Sequence, residues 1–179
     1  MKLLKKLMLL LILLVCATTF SGCTDKIFFP EAHFTVVSVT PDKLLLPKKT
    51  EPIETEEGIV ESEDDDVVLP GTAISLLSDT NIPANLVSFS ITYTTRLGDA
   101  IPSVAVPETP YSLQIPGEAT TEISMNPYTR RLFNLLELTS SDISPVNAKI
   151  VLNIKDINGN RVQVAANCLC YARWDESEG

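Results

Sequence analysis

The sequence predicts an all-β domain, an antiparallel β-sandwich of about seven or eight short strands. Three observations lead there. Between Leu86 and Arg96 (LVSFSITYTTR) apolar and small polar residues alternate, the period of a strand with one buried face. Asn158-Gly159 sits between two further alternating runs, as in a tight hairpin. From His33 onward, clusters of Pro, Gly, Asn and Asp recur at roughly the 8- to 12-residue spacing of sandwich strands.

The elements begin with a segment outside the domain. Lys2, Lys5 and Lys6 precede an apolar run from Leu7 to Ala17. The charges favour the cytoplasmic side, and the run is shorter than the about 20 residues of a stable span. Small residues follow, ending in Phe20-Ser21-Gly22-Cys23. This stretch resembles the lipobox of bacterial lipoprotein signal peptides: an apolar residue, two small residues, then cysteine. Phe20 stands where that family usually carries leucine or a smaller aliphatic. The resemblance implies that residues 1–22 are a signal peptide and that Cys23 becomes the lipid-bearing first residue. It also implies anchoring in a bacterial membrane. By the sorting rule of enteric-type bacteria, Thr24 in place of aspartate points to the outer membrane or cell surface. Cleavage after Ala17, releasing a soluble protein, and retention as an uncleaved anchor are the competing outcomes.

Residues 23–32 read as a lipidated tether. His33 to Thr40 (HFTVVSVT) is rich in β-branched residues and predicts the first strand, ended by Pro41. Lys43 to Pro47 fits neither strand nor loop clearly. Residues 48–66 carry nine carboxylates and few large apolar groups, so they predict a solvated acidic loop. Its Glu61–Asp66 cluster has hard oxygen ligands for calcium but no spacing that fixes them.

Strands follow at Thr72–Ser78 and Leu86–Arg96, where Val87, Phe89, Ile91 and Tyr93 are expected on the buried face. Shorter segments at Ile101–Val106, Tyr111–Ile115 and Thr120–Met125 are bounded by prolines, which suit edge strands and strand ends. Asn126–Ser140 breaks the pattern and fits a short helix crossing between sheets. Val146–Ile157 and Arg161–Trp174 form the last hairpin, and the even positions of the second run, from Val162 through Cys168 and Cys170 to Trp174, make its apolar face. A tail, residues 175–179, ends the chain. This series of strands resembles the immunoglobulin-like and fibronectin-III-like domains of bacterial surface proteins across residues 33–174, without the Cys–Trp–Cys spacing of antibody domains.

Charge and motifs narrow the function. Removing Lys2, Lys5 and Lys6 from the formal charge of −9 leaves about −12 on the chain from Cys23. Nucleic acid is therefore not expected as a partner, because phosphate binding needs clustered Lys and Arg. Arg130-Arg131, a small basic spot, reads as a solvated pair. Cys168-Leu169-Cys170 is the sharpest chemical candidate: thiols at i and i+2 on a strand share a face and could pair or hold a soft metal. The same parity places them with Val164 and Ala166, where cysteine packs as a small hydrophobe. Asp156, Asn158 and Asn160 alternate like calcium ligands, yet no glutamate closes the loop. The sequence has no G-x-S-x-G, H-E-x-x-H, P-loop or G-x-G-x-x-G, and one histidine, His33.

The expectation is a lipid-anchored cell-envelope protein whose sandwich binds or scaffolds an envelope protein partner. No catalytic residues and no cofactor are expected. The alternative is an envelope hydrolase, or a redox or metal accessory lipoprotein, using unpaired carboxylates or Cys168 and Cys170.

Overall fold

The computed structural model of the chain describes residues 30–45, 54–55, 58–59, 68–139 and 143–172. Alternation sets the strands, and two sheets pack their apolar faces together. One has three strands in the order β1 (Phe34–Thr40), β5 (Thr72–Ser78), β8 (Thr120–Met125). The other has five, in the order β2 (Lys43–Leu45), β10 (Arg161–Tyr171), β9 (Val146–Asp156), β6 (Ala84–Thr94), β7 (Val106–Ile115). All neighbours are antiparallel except β2 and β10, which run parallel. The first extended stretch thus divides at Pro41, with β1 on one sheet and β2 on the other. Ile74, Leu76 and Ile123 of the small sheet meet Leu86, Ile150 and Leu152 of the large one in a single core. The mostly-β, two-sheet character read from the sequence is what the chain adopts.

The crossover from β8 to β9 carries the helix α1 (Arg130–Thr139). Thr129 caps it, its Oγ1 accepting a hydrogen bond from the Leu132 N–H at 3.2 Å. Leu132, Phe133 and Leu136 fall on one side of the helix and are buried. Arg130 and Arg131 are exposed, and the Arg130 guanidinium lies 5.0 Å from the centre of the Phe133 ring.

Four details differ from the sequence reading. The segments expected at Ile101–Val106 and Tyr111–Ile115 are instead a 3-10 turn, Pro102–Val104, and one edge strand, β7, running through Pro107 and Pro110. Proline is tolerated there because an edge strand has one row of N–H groups with no ladder partner. In β6, a register shift between Leu86 and Ser88 inserts an extra residue. It turns Val87 outward, 40 % exposed, so on the expected buried face Ile91 and Tyr93 are buried and Phe89 half-buried, while Val87 is not on it. At the β9–β10 turn only Gly159 has positive φ, at 90°, while Asn158 does not. The Gly159 N–H reaches the Asp156 carbonyl and the Asp156 N–H reaches the Asn160 carbonyl, the pattern of a turn followed by a glycine bulge. Within the acidic stretch, β3 (Glu54–Thr55) and β4 (Gly58–Ile59) pair as two-residue strands. The rest of that stretch, the signal peptide, Cys23, Trp174 and the tail lie outside the described residues.

Strand directions give the sandwich two distinct ends. The chain enters beside the turns β5–β6, β7–β8 and β9–β10. The connections β1–β2 and β6–β7, the C-terminal end of β2, the start of β5 and the helix α1 all lie at the other end.

Candidate functional site

Three places hold polar or reactive groups that the fold brings together. The first is at the entry end, where Asp156 closes β9. Its side chain is buried, and both carboxylate oxygens are used. Oδ1 accepts from the Asn160 backbone N–H at 2.9 Å, and Oδ2 accepts from Asn160 Nδ2 at 2.9 Å and from the Ala32 N–H at 3.3 Å. Burial pushes this carboxyl upward, but hydrogen bonds from Asn160 and from the Ala32 and Asn158 backbones outweigh it and hold it below the ordinary range. Asn158 Nδ2 donates to the Pro30 carbonyl at 2.9 Å. The three residues with calcium-like spacing are therefore engaged in fastening the incoming chain to the turn. Ala32, expected in the tether, is buried within the domain because Asp156 holds it.

The second place is the thiol pair. Cys168 and Cys170 are free thiols, 2 % and 0 % exposed, on the core face of β10. The even-position parity holds because β10 pairs with β9 from Arg161 to Cys170 without a register shift. The hydrogen bond with Cys168, and then burial, raise the Cys170 thiol well above its usual range, so it stays protonated. Two tyrosines close the same region. Tyr93 O–H donates to the Pro127 carbonyl at 2.7 Å, and Tyr128 O–H donates to the Tyr171 carbonyl at 2.9 Å. Burial lifts both phenols far above their ordinary value. Both thiols are packed into the core among the described residues. Among the described residues, no group of three or more His, Cys, Asp or Glu side chains could hold a metal ion.

The third place was not singled out from the sequence. On the outer face of the five-stranded sheet lies a groove of about 500 Å³. The β6 bulge creates it by setting Val87 and Ser88 on the outer side together. Ser88 is only 6 % exposed, and its hydroxyl donates to Glu108 Oε1. Asn153 Nδ2 donates to Ser88 Oγ at 2.9 Å and to Glu108 Oε1 at 3.2 Å. Gln163 Nε2 donates to Asn153 Oδ1 at 2.8 Å. This chain of bonds crosses β10, β9, β6 and β7 and ends on one carboxylate oxygen. Arg161, Val87 and Pro110 also line the groove. Ser88 both donates and accepts in the chain, and the groove holds a single carboxylate, so it offers neither a free serine–base pair nor the two acids of a glycosidase. One part of it was legible: the Asn158-Gly159 turn sets Asn153 opposite Gln163. Ser88 and Glu108 join only through long-range pairing.

No family model matches the chain, and no curated protein matches it either. Among the described residues, no helix is long and apolar enough to cross a membrane.

Proposed function

We propose that this is an exported protein, lipid-anchored through Cys23 to a bacterial membrane, whose immunoglobulin-like sandwich serves as a non-enzymatic binding or scaffolding module. The observation that carries the reading is the fastening at the entry end. Pro30 and Ala32 are tied to the β9–β10 turn a short distance after the lipobox. Seven residue steps from Cys23 to Pro30 span at most about 25 Å when extended. A lipid on Cys23 would then hold that end of the sandwich close to the bilayer and present the other end, with its long connections, away from it. The division of the first strand between the sheets, β1 with β5 and β2 with β10, supports the immunoglobulin-like reading. The acidic surface supports lipid rather than protein as the membrane contact, because anionic headgroups repel it.

Detergent-phase partitioning tests the reading. The wild-type chain is expected in the detergent phase and Cys23→Ser in the aqueous phase. Equal partitioning of the two would remove the lipid from the account.

A further inference from the structure

We propose that the groove on the outer face of the five-stranded sheet binds a neutral, hydroxyl-rich ligand, a short stretch of saccharide. Ordinary cross-strand pairs on a solvated sheet face sit flush with it. Here the extra residue in β6 sinks Ser88 into a recess, and the four-strand hydrogen-bond chain fixes Glu108 above it.

The free valences of the recess select the ligand. The chain of bonds ends on Glu108 Oε1, leaving Oε2 outside it as an acceptor. The Arg161 guanidinium offers several donors in the same groove. The hydroxyls spread along a short saccharide suit these two groups, since a hydroxyl can donate to the carboxylate and another accept from the guanidinium. Val87 and Pro110 provide an apolar wall for the C–H face of the ring. An anionic ligand meets Glu108 and a net charge of −9, and a cationic ligand meets Arg161 and leaves its donors unused, while the groove itself, with one carboxylate and one guanidinium, is near neutral. A neutral polyhydroxylated ligand avoids both penalties. The Asn153 and Gln163 amides are already held by their neighbours, so little of their side-chain freedom is lost on binding.

This inference rests on the sandwich being a binding module and not on the lipid, so the two fail separately. The test uses the full-length 15N-labelled protein in a detergent without a sugar headgroup. Cellotriose, mannotriose and N-acetylchitotriose are titrated to roughly 10 mM, well above the concentration at which weak sugar binding registers. At least one should shift the side-chain amide signals of Asn153 and Gln163. Glu108→Gln and Arg161→Met should each weaken that binding about tenfold, the scale of a charge-assisted hydrogen bond. Both should melt as the wild type does. Glu122→Gln, exposed on β8, and Cys23→Ser should bind as the wild type does. Unmoved Asn153 and Gln163 signals with all three sugars would overturn the proposal. So would binding that survives the Glu108 and Arg161 substitutions.

Discussion

The two ends of the sandwich are built differently. At the entry end, short segments are laced together: the Asp79 N–H donates to His33, Glu118 to Thr80, and Ile157 to Pro83. Asp156 adds its carboxylate to that lacing. At the other end, Tyr93 and Tyr128 tie the helical crossover and the end of β10, the Leu169 N–H donates to Asp42, and Leu97 and Leu138 stand 86 % exposed. An end that receives a tether resists pulling when its hydrogen bonds are local and dense. An end that is presented can carry length and charge at little cost, since loop closure rises only slowly with loop length. Under the proposed anchoring, load would fall on the entry end and variability on the other.

Substitutions at the laced end should break the contrast most visibly. Gly117 lies against Asn81, and a Cβ added there would overlap the Asn81 backbone. Backbone cannot yield as a side-chain tip does, so Gly117→Val should lose about 3 kcal/mol in urea unfolding. Asp156→Ala comes next, at about 2 kcal/mol, because it strips partners from buried donors. This residue also carries a pH signature. Its folded carboxyl is held below the ordinary range, so its stabilisation is present above that range and fades as pH falls through and below it. The gap in urea midpoint between the wild type and Asp156→Asn should be widest near neutrality and should narrow in acid. A gap that stays constant with pH would mean that the carboxylate charge is not what fastens the incoming chain. The smallest effect is expected in the acidic stretch. Replacing residues 48–66 with a short Gly/Ser linker should change stability by no more than about 0.5 kcal/mol. A larger loss would show that the acidic stretch packs as part of the sandwich.

Strands β6 and β10 show how much the sequence discloses. Both alternate clearly. In β10 the reading holds from Val162 to Ala172, placing Cys168 and Cys170 inside, because its ladder with β9 has no inserted residue. In β6 the same rule fails at Val87, because an extra residue there leaves the alternation on either side intact. Periodicity detects a strand but not an insertion that hands the pattern from one face to the other. That hidden residue makes the recess, so the groove was illegible although its side chains are ordinary. The helix after Thr129 was legible from its break in period. The 3-10 turn at Pro102 was not, since a proline beside β-branched residues marks a strand end equally well. The fastening of Ala32 to Asp156 joins residues 124 apart, beyond what local pattern can reveal.

The laced end matters most if a lipid pulls on it. Mass spectrometry of the N-terminal peptide, taken from protein expressed in a lipoprotein-processing bacterium and purified from its membranes, tests this most directly. The account predicts a chain beginning at Cys23 with a diacylglycerol thioether on its sulfur. A chain beginning at Thr18, or one retaining Met1 with an unmodified Cys23, would contradict it.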